Sequence, residues 1–249
     1  MALVASQPPD EGMKLCEGCG YILDGLPADN RCPECGKPAA QSTDPQLRRL
    51  PAWETSPSPV TFIASSYQVM VHPARFARHL LTRRDTWRSW WFAAFWQGVC
   101  ALTLGLAVLR HAEWLELRGG WTPAWIPLWL ITVYALFKVF SVLWIYLLLA
   151  AVTEVAGRLT AWEARMRGLR LPLVAVRRAL RYHSVHLLPV SLLALATAWG
   201  YTLLLEKRIV TSAADSVYVY VLCAQVLAGA GYLFLSYWAM MRNIMYANR

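Results

Sequence analysis

Four cysteines near the start of the chain have the type and spacing of a metal site. They form two C-x-x-C-G pairs, Cys16 with Cys19 and Cys32 with Cys35, and twelve residues separate the pairs. In each pair a tight turn directs two sulfurs toward one point, and the glycine that follows allows the positive φ that closes the turn. Two such turns bring four thiolates into a tetrahedron, which is the geometry of a closed structural zinc site. We therefore predict that these four cysteines hold one structural zinc ion.

Other interpretations of the cysteine module stay open. Two disulfide bonds would need an oxidising compartment. The motifs C-x-x-C-G-Tyr and C-P-x-C-G resemble the iron site of rubredoxins, which implies electron transfer, although rubredoxins separate their pairs more widely and Tyr21 is the one aromatic residue of this module. Zinc could also serve only to fold the segment, because so short a stretch has almost no core and zinc contributes on the order of 10–16 kcal/mol in comparable peptides.

The charge of the cysteine module argues against a nucleic-acid partner. The whole chain has a formal charge of +9, but residues 10–44 contain seven acids and three bases. Non-specific affinity for nucleic acid comes from clustered Lys and Arg, and this module has no such cluster. We therefore expect the ribbon to bind a protein partner.

Long uncharged runs after the module predict four membrane spans. The chain is 57% hydrophobic and only 16% charged, and a spanning helix needs about 20 apolar residues. The runs are residues 89–109, 121–153, 184–205 and 216–241, and the second is interrupted by one charge, Lys138. The second run begins with tryptophans, which favour the headgroup region, so it is either one span or an interfacial piece followed by a span. The predicted fold class is membrane all-α: a four-helix transmembrane bundle with a small N-terminal zinc ribbon.

The distribution of Lys and Arg predicts the orientation of these spans. Basic residues are concentrated before the first span and in the loop 154–181, which has seven arginines, whereas the other two loops have two basic residues each. This pattern places both termini and the loop 154–181 in the cytosol. The first residues lack a basic start followed by an apolar stretch, so we expect no cleavable signal peptide. Cytosolic thiols stay reduced and available to metal.

These features divide the chain into three parts. The predicted zinc ribbon comprises residues 12–38, a proline-rich linker comprises residues 39–60, and the four-span transmembrane domain comprises residues 61–249. The linker is predicted to be extended, since it is rich in proline and poor in large apolar residues. The arginine-rich loop 154–181 is predicted to lie on the anionic inner leaflet, or simply to fix the topology.

Few residues in the predicted membrane domain could perform chemistry. Lys138 is the one charge deep in a predicted span, where it costs roughly 2.5–3.5 kcal/mol on insertion scales, and no span has an acid to pair with it. We favour a lysine that reaches the interface, or one that faces the bundle and bonds to carbonyls, over one that carries a substrate or a proton. No catalytic triad, paired carboxylates or phosphate-binding loop is present, so we expect no enzyme activity. The histidines lie near the predicted span ends and are His72, His79, His111, His183 and His186.

Two short segments resemble Yip-type (Ypt-interacting) membrane proteins. The sequence His-Pro-Ala-Arg-Phe at 72–76, with Leu80 and Leu81, resembles the P-x-x-F-F-like segment before the first span of that family. Tyr-His-Ser at 182–184, followed by Pro189, resembles its Tyr-Ala-Ser segment, although the proline lies further from the serine here. The ribbon is similar to double-knuckle ribbons that bacteria attach to varied membrane proteins. The resemblance implies membrane organisation or partner recruitment at the bacterial cytoplasmic membrane, and it carries over no active site.

The function expected from the sequence is therefore that of a non-enzymatic membrane scaffold or regulator that presents a cytosolic zinc ribbon to a protein partner. The alternative is a transporter or permease component that uses Lys138 and the interfacial histidines. Iron in the ribbon would favour a third possibility, a membrane redox protein. The sequence names no partner, no transported species and no oligomeric state.

Overall fold

The computed structural model describes residues 13–27, 29–44, 48–81, 87–117, 128–169, 171–210 and 214–247. Within these ranges the chain is helical apart from the cysteine module and short connections. The helices are α1 (Ala40–Thr43), α2 (Ala52–Thr55), α3 (Pro59–Val71), α4 (Pro73–His79), α5 (Trp87–Leu117), α6 (Leu128–Met166), α7 (Leu173–His183), α8 (Leu187–Glu206) and α9 (Ala214–Ile244), with a 3₁₀ turn (Ser184–His186) between α7 and α8.

Four stretches of the described chain are long and apolar enough to cross a membrane. They are Trp87–Leu115, Lys138–Met166, Leu173–Glu206 and Ala214–Ile244. In the most apolar of them, within α6, only 6% of an 18-residue window is buried in the protein, so most of its apolar side chains are left for lipid. The predicted all-α membrane fold with four spans is confirmed. A separate interfacial piece at residues 121–127 lies outside the described residues.

One compact unit consists of Ala94–Ala151 and His186–Phe234. Small residues allow its helices to approach closely: a Cβ placed on Gly105 of α5 would lie 2.6 Å from the side chain of Val142 in α6. A Cβ on Gly229 of α9 would lie 2.9 Å from the side chain of Val190 in α8. Close packing at small residues is how membrane helices associate, because lipid provides no hydrophobic driving force between them.

The other compact unit consists of Met1–Ala93, Val152–Val185 and Leu235–Arg249. This unit contains the cysteine module, the start of α5, the end of α6, the whole of α7 and the end of α9. The N-terminal module, the central segment and the last turns of α9 thus belong to one body. The side of the membrane on which the termini and the loop 154–181 lie stays a prediction.

The loop 154–181 is largely a helix–turn–helix. Helix α6 continues to Met166, Gly168 has a φ of +69° in the turn, and α7 begins after Pro172. One face of α7 is buried, and it includes the guanidinium of Arg178, which is 0% exposed. The prediction that the arginines of this loop face the leaflet is therefore wrong for Arg178, because that charge is used inside the protein.

The proline-rich stretch 39–60 also differs from an extended linker. It contains α1 and α2, and the side chains of Arg48 and Glu54 within it are buried. At its end Ser58 caps α3: its Oγ accepts the N–H of Thr61 at 3.2 Å, and its own N–H donates to Thr61 Oγ1 at 3.0 Å. These contacts attach the stretch to its surroundings. The boundaries at residues 38 and 60 stay predictions.

Candidate metal centre

The four cysteines that the sequence predicts as ligands lie together. Their sulfur atoms are all within 4.8 Å of one another, with 3.4 Å between Cys16 and Cys35 and 3.5 Å between Cys19 and Cys32. Sulfurs bound at 2.3 Å around a tetrahedral metal are about 3.8 Å apart, so the cluster has approximately the size of a four-sulfur metal site. These separations also exceed the length of a disulfide bond, about 2.05 Å, and all four cysteines are free.

The two cysteine pairs are held by the same local structure. Gly20 N–H donates to the carbonyl of Cys16 at 2.8 Å, and Gly36 N–H donates to the carbonyl of Cys32 at 2.9 Å. In each turn the first cysteine also donates its own N–H across the turn, at 2.7 Å. The two glycines have φ values of +83° and +69°, as the motif predicts. Each C-x-x-C-G is therefore a knuckle that points two sulfurs toward the other pair.

The backbone of the knuckles favours negative charge on sulfur. Burial opposes ionisation of the Cys16 thiol, but hydrogen bonds from the backbone of Gly18 and Cys19, with those from neighbouring thiols, lower its pKa from 9.0 to about 7. Burial raises the pKa of Cys19. Four thiolates this close repel one another unless a cation lies among them, and an all-sulfur donor set suits a soft or borderline metal ion. The residues present therefore fit a four-coordinate metal.

The cysteine module has only a small core of its own. Its buried cluster consists of Leu23 and Ala39 with the sulfurs of Cys16 and Cys32. Burial of a few side chains contributes a few kcal/mol at about 1.5–3 kcal/mol each, which is little against the entropy of ordering the segment. A metal ion and contacts with the rest of the protein are the remaining sources of stability.

A buried arginine attaches the first knuckle to the rest of its unit. Arg48 Nε donates to the carboxylate of Glu17, which lies between the first two cysteines, at 2.8 Å, and the two side chains are 5% and 11% exposed. The Nη groups of Arg48 donate to the carbonyls of Leu80 at 3.0 Å, Asn243 at 3.3 Å and Ala77 at 3.4 Å. Arg48 therefore joins the knuckle to the ends of α4 and α9.

A glycine contact reinforces this attachment. A Cβ placed on Gly20 would lie 2.6 Å from the ring of Tyr246, which follows α9, whereas a Cβ on the equivalent Gly36 would meet nothing within 4 Å. The first knuckle is therefore packed against the protein. In the second knuckle the side chains of Pro33, Glu34 and Cys35 are exposed.

A second buried ion pair lies in the same unit. Arg178 Nη2 donates to Glu54 Oε1 at 2.7 Å, and both side chains are 0% exposed. Tyr182 donates its hydroxyl to the same carboxylate oxygen at 2.7 Å, and Arg178 Nη1 donates to the carbonyl of Leu81 at 2.7 Å. This cluster joins the proline-rich stretch and the end of α4 to α7.

Aromatic rings surround this ion pair and exclude water from it. The ring of Tyr182 packs against Phe76 and Phe92, with centroids 4.9 and 4.6 Å apart. Phe62 of α3 packs against Phe92 at 4.9 Å and against Trp53 at 5.0 Å. In such surroundings a charged side chain is stable only when its oppositely charged partner is also present and both are hydrogen-bonded.

The structure gives the three histidines at the later span ends separate hydroxyl partners. His183 Nε2 lies 2.8 Å from Ser236 Oγ, His186 Nδ1 lies 2.7 Å from the hydroxyl of Tyr232, and His111 Nδ1 lies 3.0 Å from that of Tyr218. Within the described part of the chain, the cysteine cluster is the one group of His, Cys, Asp or Glu residues whose ligand atoms lie close enough together to hold a metal ion. His111, His183 and His186 therefore each have a hydroxyl partner at one ring nitrogen.

Lys138 is partly buried in α6, and Ser141, one turn further on, is 1% exposed. The side chain of Tyr134, which shares their helical face in the sequence prediction, lies outside the described residues. Nothing in the described chain identifies Lys138 as part of a pathway.

Sequence reasoning missed Arg48, Glu54, Arg178 and Tyr182. One signal was present: Glu54 is the sole acid between Asp44 and Asp85, in a stretch rich in arginine. A lone acid in such a stretch is a candidate for a buried pair, but nothing local indicates which arginine is its partner.

Comparison with known proteins adds no further assignment. No family model, curated protein or solved structure matches this chain.

Proposed function

We propose that this protein is a non-enzymatic scaffold or regulator of a bacterial cytoplasmic membrane that presents a zinc ribbon to a protein partner in the cytosol. The observation that carries the proposal is the approach of four cysteine sulfurs within 4.8 Å of one another in a module that Arg48 attaches to Asn243, near the end of the membrane-spanning helix α9. A partner bound to a module that is attached to the end of α9 is held at the membrane.

Zinc is the metal we assign to the cysteines. Cys16 and Cys19 would hold it from the first knuckle, and Cys32 and Cys35 from the second. Bound zinc would crosslink the two knuckles and offset the thiolate charge without redox chemistry. The acidic balance of the module supports a protein partner over nucleic acid, as argued from residues 10–44.

The second knuckle is the surface we assign to the partner. Its exposed side chains carry both signs of charge, from Arg31, Glu34 and Lys37, beside the exposed ring of Pro33. Arg31 donates to the carbonyl of Gly36 at 3.2 Å, which braces the knuckle. The first knuckle is already covered by Arg48 and Tyr246, so it contributes less free surface.

A cytosolic position for the ribbon is supported by the arginines of its own unit. Those whose side chains are exposed include Arg75, Arg78, Arg158, Arg165 and Arg167. Positive charge next to spans favours the cytosolic side. Because the module, α7 and the end of α9 belong to one unit, one orientation applies to all three.

The resemblance to Yip-type proteins is compatible with this role. The two segments that carry it meet in the protein, since the ring of Phe76 lies 4.9 Å from that of Tyr182. The resemblance supports membrane organisation or recruitment, and the structure-based argument does not depend on it.

Photocrosslinking in cells tests the proposal. A photoreactive amino acid in place of Glu34 should give a protein adduct, whereas the same residue in place of Lys207, exposed at the end of α8, should not give it. The adduct should disappear when Cys35→Ser opens the metal site. If position 34 gives no adduct, or if its adduct survives Cys35→Ser, the ribbon is not the presenting surface.

A further inference from the structure

A cavity of about 760 Å³ lies in the unit that contains the ribbon. Its walls come from the stretch after Arg48, from α3 and from α4, and none of the four cysteines lines it. The volume is within the range of about 300–1,000 Å³ that is usual for small-molecule sites. The cavity therefore has room for a ligand of headgroup size.

The wall of the cavity is basic. Arg49, His72, Arg75 and His79 line it, with Gln68 and Thr55 as further hydrogen-bonding side chains. No acid is among the described residues around it. Such a wall produces a positive potential inside a concave surface, which attracts anions.

An isolated β-bridge between Arg49 and Leu80 explains how Arg49 reaches the cavity. Arg49 N–H donates to the carbonyl of His79 at 2.8 Å, and its own carbonyl accepts the N–H of Leu81 at 3.1 Å. Successive side chains of an extended segment point to opposite faces. Arg48 therefore points into the protein, where it binds Glu17, while Arg49 points into the cavity.

The helices supply the other basic groups. His72 is the last residue before Pro73 starts α4, and it is also the C-cap of α3. His72, Arg75 and His79 follow one another at intervals of three and four, so they share one face. This face and Arg49 line the same cavity.

The cationic groups of this wall differ from other arginines in the same unit. Arg48, Arg88 and Arg178 are all engaged by acids or carbonyls of the protein. The structure gives the side chains of Arg49 and Arg75 no hydrogen-bond or ion-pair partner among the residues it describes. Two guanidinium groups of one cavity thus keep their donors available, and guanidinium groups match phosphate through paired N–H donors.

Helix α3, which forms part of the cavity wall, also has an exposed apolar face. Val60, Ile63, Tyr67 and Val71 are spaced along one side of this helix and are 75%, 66%, 63% and 45% exposed. On the other side Phe62 packs against Phe92, in the second turn of the first span. An apolar face at this level, flanked by basic residues, is typical of a helix in the membrane interface.

We propose that this cavity binds a phosphate group, as carried by an anionic phospholipid headgroup of the adjacent leaflet. Arg49 and Arg75 donate to the phosphate oxygens, and Gln68 and Thr55 are available for the rest of the headgroup. A soluble phosphate ester presents the same chemistry. The inference does not depend on zinc or on a protein partner.

The test uses the full chain in nanodiscs of phosphatidylcholine. Short-chain dioctanoyl phosphatidylglycerol, glycerol 3-phosphate and inorganic phosphate are titrated separately, and binding is followed by calorimetry. The double variant Arg49→Gln/Arg75→Gln should weaken binding by about tenfold or more, since each charge-assisted hydrogen bond contributes about 1.5–3 kcal/mol and 1.4 kcal/mol is tenfold. The control Arg165→Gln/Arg242→Gln removes the same charge from exposed positions outside the cavity and should leave the affinity within about twofold.

Each outcome decides the proposal. If only phosphatidylglycerol binds, the ligand is a lipid headgroup. If glycerol 3-phosphate or inorganic phosphate binds with the same affinity as phosphatidylglycerol, the ligand is a soluble phosphate. No binding of any probe overturns the proposal, as does an equal loss in the control pair. If the double variant does not fold, the wild-type protein still answers: the bound probe should slow modification of His72 by diethyl pyrocarbonate, and an unchanged rate overturns the proposal.

Discussion

Glu54 and Arg178 form an ion pair in which Arg178 Nη2 lies 2.7 Å from Glu54 Oε1, and neither side chain is exposed to solvent. The pair joins the short helix α2 in the proline-rich stretch to α7, and the hydroxyl of Tyr182 completes it. Each charge depends on the other, because an isolated charge in such surroundings has lost its hydration without a substitute. The attachment of the N-terminal part to the rest of its unit therefore depends on this pair as well as on Arg48.

Neutralising one partner should destabilise the protein strongly. Glu54→Gln leaves the Arg178 guanidinium buried without a counter-charge, and we expect a loss of about 3–5 kcal/mol. Thermal unfolding of the purified full chain in detergent, followed by tryptophan fluorescence, measures it. Glu163→Gln is the matched control, because its pair with Arg167 is 53% and 67% exposed and is worth less than about 1 kcal/mol. Equal shifts for the two variants would show that the pair is not buried in the membrane-embedded protein.

The contact between Gly20 and Tyr246 predicts unequal responses at the two knuckles. Gly20→Ala and Gly36→Ala both place an alanine at positive φ, which costs roughly 1–2 kcal/mol, but only the first also displaces the Tyr246 ring. Gly20→Ala should therefore expose the stretch after the ribbon to trypsin, whereas Gly36→Ala should not. Adding Tyr246→Ala to Gly20→Ala should relieve the clash but not restore the attachment. Identical digestion of Gly20→Ala and Gly36→Ala would contradict the docked position of the first knuckle.

The spans and the cysteine module could be predicted because each is determined locally. Lipid requires long apolar runs, and residues 216–241 show this without reference to any other part of the chain. C-x-x-C-G likewise determines its own turn, and the positive φ of Gly20 and Gly36 follows from it. Contacts between distant segments could not be predicted in this way. Glu54 could pair with many arginines, and its pairing with Arg178 depends on the position of α7, where Tyr182 packs against Phe76 and Phe92.

Prediction from the sequence was also wrong where a residue type that is usually exposed is buried in the protein. Proline and polar residues in the stretch 39–60 are typical of an exposed linker, yet Arg48 and Glu54 within it are buried. Arginine next to a span is typical of a leaflet contact, yet Arg178 lies inside the protein. In each case a partner remote in sequence makes burial of the charge possible.

Lys138 distinguishes the proposed function from the transporter alternative. If its charge only reaches toward the interface, Lys138→Met should be tolerated, because the packing of the side-chain stem is kept and a charge is removed from lipid. Folding yield, thermal stability and any cellular phenotype should stay level, as they should for the exposed control Lys207→Met. A well-folded Lys138→Met protein that has lost its phenotype would support transport instead.

The orientation of the ribbon can be measured in intact cells. A membrane-impermeant thiol reagent applied from outside should not label Cys16, Cys19, Cys32 or Cys35, even after chelation of zinc, because the module is proposed to be cytosolic. The same cysteines should react in inverted membrane vesicles. A reporter fused after Arg249 should also indicate the cytosol, and an external signal from either probe would reverse the topology.

The metal content of the purified full-length protein tests the central claim most directly. Elemental analysis by mass spectrometry should find one zinc per chain, and Cys16→Ser or Cys35→Ser should release it, because three sulfurs leave the tetrahedron open. Cys100→Ser and Cys223→Ser remove cysteines outside the cluster and should leave the zinc in place. One iron per chain with a red colour, or zinc that remains after Cys16→Ser, would contradict a four-cysteine zinc ribbon.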